Sequence, residues 1–200
     1  MRWGSGDVAK IDYAATLLAA LAYVLTRQGD AVSLLTFDDA VRDRLPARSG
    51  PAHLDYLMRI LAEPAVSSGT TGLHEALDEL IEHAGRMGLV VIASDLLDLD
   101  GAALDPVARI QARGHQTVVL HVMDPAELEL PYEQPMHFEG LEGEPHVEVD
   151  PQGIRRRYRE AIDAFVEACR RRVVAAGARY LLARTDAPPE HVLLQLLRAG

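Results

Sequence analysis

The stretch Gly88–Asp98, GLVVIASDLLD, decides the fold. Leu89 to Ser94 is almost wholly apolar, and Asp95 follows at once. A short, unbroken apolar run of this kind reads as a parallel strand buried on both faces. A carboxylate at the carboxyl end of such a strand lies at the edge where open α/β sheets bind ligands. It either holds a metal or phosphate partner there, or caps the helix that follows.

Outward from that strand, the chain alternates helices and strands. KIDYAATLLAALAYVLTRQG reads as a long helix with a glycine stop at Gly29. DAVSLLTF and VRDRLP read as a hairpin joined through Asp38-Asp39, its second strand ended by Pro46 at a sheet edge. PAHLDYLMRILAE, TTGLHEALDELIEHAGRMG and DPVARIQARG carry helical patterns, and QTVVLHVMD a further buried strand. The segment 150–177 reads as a long amphipathic helix with Ile154, Tyr158, Ile162, Phe165, Cys169 and Val173 on its apolar face. ARYLLART is the last strand and PPEHVLLQLLRAG the last helix. Residues 125–149 are irregular, with a small hairpin of MHFEGL against HVEV, an insertion rather than a second domain. Alternation of this type implies an α/β fold, a mostly parallel sheet covered by helices on both faces. The expectation is one domain over residues 1–200.

Composition narrows the partners. The hydrophobic share is 48%, so the chain is globular, and 200 residues suffice for a full core. No apolar run approaches the roughly 20 residues that span a bilayer. The N-terminus MRWGSGDVAK has no apolar signal core, and one cysteine excludes an internal disulfide. Both point to the cytoplasm. A net charge of −10 argues against nucleic acid and leaves metal ions or basic partners.

Candidate chemistry gathers at two places. SSGTTGLHEAL, Ser67 to Leu77, supplies hydroxyls and backbone N–H groups just before a helix. Alone, that is an ordinary N-cap. Thr71 there and Asp95 at the strand end both face a common crevice, and a hard cation such as Mg²⁺ takes oxygen ligands of this type. The other candidates have plainer readings. His121 lies within a buried strand as a hydrogen-bonded core residue, and His74 and Glu75 are solvated. The arginine runs at Arg155 and Arg170 are solvated faces paired with Glu160, Asp163 and Glu167, or a docking surface for an acidic partner. Cys169 is core. No zinc spacing, phosphate-binding glycine loop or Ser-His-Asp set is present.

RQGDAVSLLTFDDAVRDRLPARSG, SSGTTGLHEALDEL, VVIASDLLD and VLHVMDPAELELP, in this order and spacing, resemble the von Willebrand factor A-like domain. The likeness is to its bacterial branch catalogued as the fifty-eighth domain of unknown function, and it covers the whole chain. It implies a Rossmann-like three-layer sandwich with an antiparallel edge strand. It also implies a metal-ion-dependent adhesion site built from three loops. The first carries Asp-x-Ser-x-Ser; the second carries a threonine matching Thr71, or Thr70 if the register slips by one; the third carries an aspartate matching Asp95. In that family a carboxylate from the partner completes the metal shell, and the bacterial branch associates with MoxR-type AAA+ ATPases in assembly or maturation of other complexes.

The chain departs from the family at its start. It has no Asp-x-Ser-x-Ser and no apolar strand before the first helix, and Met1 sits where an internal methionine is expected. Either the chain was cut here, or the start codon lies further upstream, or the protein is a natural remnant. The expected site is thus a remnant of Thr71 and Asp95 that binds metal weakly or not at all, with Mg²⁺ or Mn²⁺ expected if the upstream motif exists. A missing central strand of about six residues would remove on the order of 10 kcal/mol of apolar burial, against a total stability of roughly 5 to 15 kcal/mol. Three expectations follow. Either the strands on each side close up and pair, or another segment or chain adds to the slot, self-association included. Restoring upstream residues raises the melting temperature by more than about ten degrees.

Two function classes remain. The favoured one is a non-catalytic protein-interaction module acting with a MoxR-type ATPase. The alternative is a metal-assisted hydrolase in the same crevice; it needs a general base within reach of a bound water, and Asp95, Asp98 and Asp100 lie near the crevice with no histidine placed there.

Overall fold

A computed structural model describes residues 1, 3–63, 72–85, 87–97, 104–134, 136–138, 147–149 and 151–197. The chain opens with helix α1 (Lys10–Gln28), the hairpin β1 (Val32–Phe37) and β2 (Val41–Arg48), and helices α2 (Pro51–Ala62) and α3 (Leu73–His83). Then come β3 (Leu89–Ser94), α4 (Asp105–Ala112), β4 (Gln116–Met123) and the short α5 (Pro125–Glu129). A second hairpin, β5 (Met136–Phe138) with β6 (Val147–Val149), precedes α6 (Pro151–Ala175), β7 (Arg179–Arg184) and α7 (Pro189–Leu197).

The centre is a three-stranded parallel sheet in the order β3-β4-β7. The side-chain period of two along β4 divides the core. Val118, Leu120 and Val122 face Tyr13, Leu17 and Leu21 of α1 and Val192 and Leu196 of α7. Val119 faces the opposite side, where Leu73, Leu77 and Ile81 of α3, Val107 and Ile110 of α4, and Cys169 and Val173 of α6 pack together. Both faces of β4 are therefore apolar, which is why its sequence does not alternate. Among the described residues no helix is long and apolar enough to cross a membrane.

The first hairpin is a separate two-stranded antiparallel sheet. This corrects the expectation of one sheet ending in an antiparallel edge strand. Direct closure of β1 onto β3 does not occur among the described strands: the two are not neighbours in either sheet. Helices make the connection instead. Leu45 and Leu57 join Ala22 in a third cluster, and Phe37 packs against the α3–α4 core. Gly72 N donates to the Asp38 carbonyl at 2.5 Å, seating the start of α3 on the hairpin turn. A Cβ on Gly72 would lie 2.8 Å from the Asp39 carbonyl oxygen, so only glycine permits that approach.

Pro46 does not end β2 as expected; the strand continues to Arg48. The register shifts between Val32 and Leu34, and Pro46 stands opposite that irregularity, where its missing N–H breaks no regular ladder. The expected stop of α1 is present: Gly29 at φ 91° donates to the Thr26 carbonyl while Asp30 N bonds that of Leu25. On α6 the buried face is shorter than expected. Cys169 and Val173 are buried, but Ile154 is exposed.

Candidate functional site

Asp95 stands where the sequence places it, directly after β3 at the carboxyl edge of the parallel sheet. It is buried. The next residue, Leu96, adopts φ 54°, a left-handed conformation unusual for leucine. Its N–H donates to Ser94 Oγ at 3.1 Å, and its side chain is buried in the α3–α4 core. The turn that presents Asp95 is thus held by packing against its own backbone preference. Thr71, its alternative Thr70, and Asp98 and Asp100 lie outside the described residues.

The partner that meets Asp95 is a lysine. Lys10 opens α1, is 2% exposed, and places Nζ 3.1 Å from Asp95 Oδ2 and 2.6 Å from Glu127 Oε1. The Met1 nitrogen lies 3.1 Å from the same Oδ2. Burial pushes the Asp95 carboxyl up, but Lys10 and the Met1 amine outweigh it and hold it below the ordinary value of 3.8. The segment before α1 folds back over the helix start. The Trp3 and Met1 carbonyls accept from Lys10 N and Ile11 N, bonds that the uncapped Ala9 leaves open.

The network extends along the sheet edge. Asp124, directly after β4, caps α5: its Oδ1 accepts from Ala126 N at 2.8 Å, and Glu127 Oε2 accepts from Asp124 N at 3.0 Å, a reciprocal capping box. Ser5 donates to Asp124 twice, N at 2.9 Å and Oγ at 2.5 Å, and Thr185 Oγ1, after β7, adds a contact at 3.3 Å. Burial pushes the Asp124 carboxyl up, yet these donors bring it below its usual range. Glu127 therefore joins the Asp95–Lys10 pair to the Asp124 cluster.

His121 supports Asp95 from below. It is fully buried on β4, with Nε2 2.9 Å from the Asp95 carbonyl and Nδ1 2.6 Å from the Tyr180 hydroxyl. A carbonyl only accepts, so Nε2 carries the proton and Nδ1 accepts from Tyr180. Burial lowers its pKa to about 4, so the ring is neutral at pH 7. His121 is the hydrogen-bonded core residue that its sequence position suggests.

The arginines of α6 do other work than the pairs expected for them. Arg155 donates to the carbonyls of Leu130 and Tyr132, and Arg159 to that of Glu129, tying the helix to the segment after β4. Arg170 does pair with Glu167, at 2.8 Å. An open groove of about 480 Å³ lies beside them, lined by Leu128, Glu129, Arg159, Asp163, Leu182 and Arg184. Its Arg184 is already paired with Glu129 and Asp186.

The described residues do not fit a divalent ion at Asp95. Mg²⁺ demands oxygen ligands at about 2.0–2.1 Å in octahedral order. Here an ammonium holds Oδ2, and no group of three or more His, Cys, Asp or Glu among the described residues is placed to hold a metal. A divalent charge about 4 Å from the Lys10 ammonium would be repelled by on the order of 8 kcal/mol at an effective dielectric of about 20.

Sequence reasoning missed Lys10, Glu127 and Asp124. The signal for Lys10 was compositional. It is the one lysine among 20 basic residues, all the others being arginine. The signal for the other two was local: Asp124-Pro-Ala-Glu127 spells a capping box.

Known proteins resemble the chain in sequence and in fold. Uncharacterized proteins of Mycobacterium bovis and Mycobacterium tuberculosis are each 30% identical over 188 residues, 92% of this chain and 58% of their own. The chain thus spans 58% of the length of these relatives. One from Mycobacterium avium is 33% identical over 147 residues, 72% of this chain and 85% of its own. Two solved structures share the fold at 16% identity, each over 96% of this chain and 89% of the other. They are the conserved hypothetical protein BatB from Bacteroides thetaiotaomicron (TM-score 0.63) and an aerotolerance-related membrane protein from Bacteroides fragilis (TM-score 0.65). The model of the DUF58 family, described as a protein of unknown function, matches residues 1–168, and the chain belongs to that family.

Proposed function

We propose that the chain is a non-catalytic, von Willebrand A-like protein-interaction module that works with a MoxR-type AAA+ ATPase in assembling or maturing other protein complexes. The observation that carries the non-catalytic half is the state of the polar groups at the sheet edge. A hydrolase needs a general base whose pKa is raised toward the working pH, whereas the Asp95 and Asp124 carboxyls are held below their ordinary range by the cations and donors around them. Asp95 is held by Lys10, Glu127 by Lys10 and the Asp124 N–H, and Asp124 by Ser5, Ala126 and Thr185. His121 has both ring nitrogens engaged and is sealed from solvent. An edge so arranged offers shape and fixed charge rather than a reactive group. The ATPase as partner rests on the family resemblance read from RQGDAVSLLTFDD, VVIASDLLD and VLHVMDPAELELP.

Two measurements test the proposal. Interferometry between the purified chain and the MoxR-type ATPase of the same organism, with ATP, with ADP and without nucleotide, is expected to give saturable binding in at least one state. Absence of binding in all three removes the partner. Phosphate and carboxylic ester substrates assayed with Mg²⁺ or Mn²⁺ are expected to give no turnover; turnover lost in Asp95→Ala establishes the hydrolase instead.

A further inference from the structure

We infer that Lys10 is the resident cation of the sheet-edge site: its ε-ammonium sits between Asp95 and Glu127 where a divalent ion would otherwise bind, and makes the site indifferent to Mg²⁺ and Mn²⁺. The inference deepens the interaction-module reading and rests on it in one respect, since it makes partner docking at this edge independent of added metal.

Four observations converge. Lys10 is the chain's one lysine, and it is 2% exposed, whereas most lysines keep their ammonium in water. The two carboxylates it bridges come from different elements, the turn after β3 and helix α5, so the fold assembles the pair around the nitrogen. Contacts that do not involve the lysine also hold both acids: Leu96, next to Asp95, is packed in the α3–α4 core with its N–H on Ser94 Oγ, and Glu127 belongs to the capping box of α5. The ion pair is therefore not the sole contact that positions its acidic partners. Finally, the two groove-lining arginines, Arg159 and Arg184, bond a backbone carbonyl and surface acids, while this site uses the compact tetrahedral ammonium, the side chain nearest in shape to a bare ion.

The chemistry predicts what removal does. Without the Lys10 ammonium, Glu127 has no cation and Asp95 keeps only the Met1 amine at 3.1 Å, so two carboxylates share one positive charge around the space that the lysine filled. Hard oxygen donors with room for water suit Mn²⁺ and Mg²⁺.

The test uses the whole chain and exploits the single lysine. Protein labelled with lysine carrying ¹³C at the ε carbon alone gives one lysine resonance. In the wild type, that resonance is expected to stay in place in millimolar Mg²⁺ and to remain sharp as Mn²⁺ is added. Lys10→Met is expected to gain saturable Mn²⁺ binding, read as a rise in melting temperature, and to lose it in Lys10→Met/Asp95→Asn. Asp95-dependent broadening of the wild-type signal by substoichiometric Mn²⁺ overturns the inference, because the ion then sits beside Lys10. A folded Lys10→Met that gains no Mn²⁺ affinity overturns it too. If Lys10→Met does not fold, the wild-type spectrum decides alone. Neither measurement involves the ATPase, so failure here is distinct from failure of the partner proposal.

Discussion

Lys10 Nζ lies 3.1 Å from Asp95 Oδ2 across 85 residues of sequence, with the lysine closed to solvent. The pair joins the first turn of α1 to the end of β3. Removing Lys10 leaves Glu127 without a cation and Asp95 with the Met1 amine alone, at about 3 kcal/mol, the low end for a broken buried pair. In metal-free buffer Lys10→Met is expected to lose that much in urea unfolding. Lys10→Met with Asp95→Asn and Glu127→Gln is expected to recover most of it. Full stability of the single variant contradicts the buried geometry.

His121 predicts an acid limb. Its imidazole takes a proton near 6.5 when unfolded but only near 4 when folded. Between those values the unfolded chain binds more protons, so stability falls as pH drops through that window. The full loss, reached near pH 4, is about 3 kcal/mol. Denaturant unfolding at intervals from pH 7 to pH 4, bounds set by those two values, is expected to show the slope in the wild type and a flatter profile in His121→Gln. Asp95 adds a separate loss only at lower pH, because its carboxyl is held below 3.8 in the fold.

Gly72 and Gly85 form a matched pair. Gly72 has an ordinary φ of −78°, so its need for glycine is steric: a Cβ meets the Asp39 carbonyl at 2.8 Å. Gly85 has nothing within 4 Å of a Cβ. Gly72→Ala is expected to cost about 1–3 kcal/mol, the usual cost of overpacking. Gly85→Ala is expected to stay within about 0.5 kcal/mol of wild type. Equal effects by thermal unfolding contradict the contact between α3 and the hairpin turn.

Asp124 predicts coupling between the N-terminal segment and α5. Asp124→Ala removes the cap of α5 and two bonds from Ser5. Caps contribute about 0.5–2 kcal/mol and bonds to charged groups about 1.5–3 kcal/mol. Hydrogen exchange is expected to speed up at Lys10 and Ile11, whose N–H groups bond Trp3 and Met1. Exchange unchanged there contradicts the link.

The strands β3, β4 and β7 were legible because each is a short apolar run, and Asp95 was legible because it ends one. The pairing of β1 with β2 was legible from the turn between them, but the separation of that hairpin from the parallel sheet was not, since nothing in VSLLTF states whether its second edge meets β3 or remains apart. Helix α5 is five residues long, too short for any periodicity, and only its capping box betrays it. Lys10 was hidden for a different reason. A lysine at a helix start reads as solvent-facing, and its two partners are 85 and 117 residues away. Burial of a charge is a property of tertiary packing, which no local pattern encodes.

In this reading Asp95 is served by an internal ammonium rather than a metal ion. Diffraction from crystals grown in Mn²⁺, recorded for anomalous scattering, tests it most directly. Lys10 Nζ is expected within hydrogen-bond distance of Asp95 and Glu127, with no anomalous peak beside them. A manganese ion coordinated by Asp95, with Lys10 turned away, would contradict it.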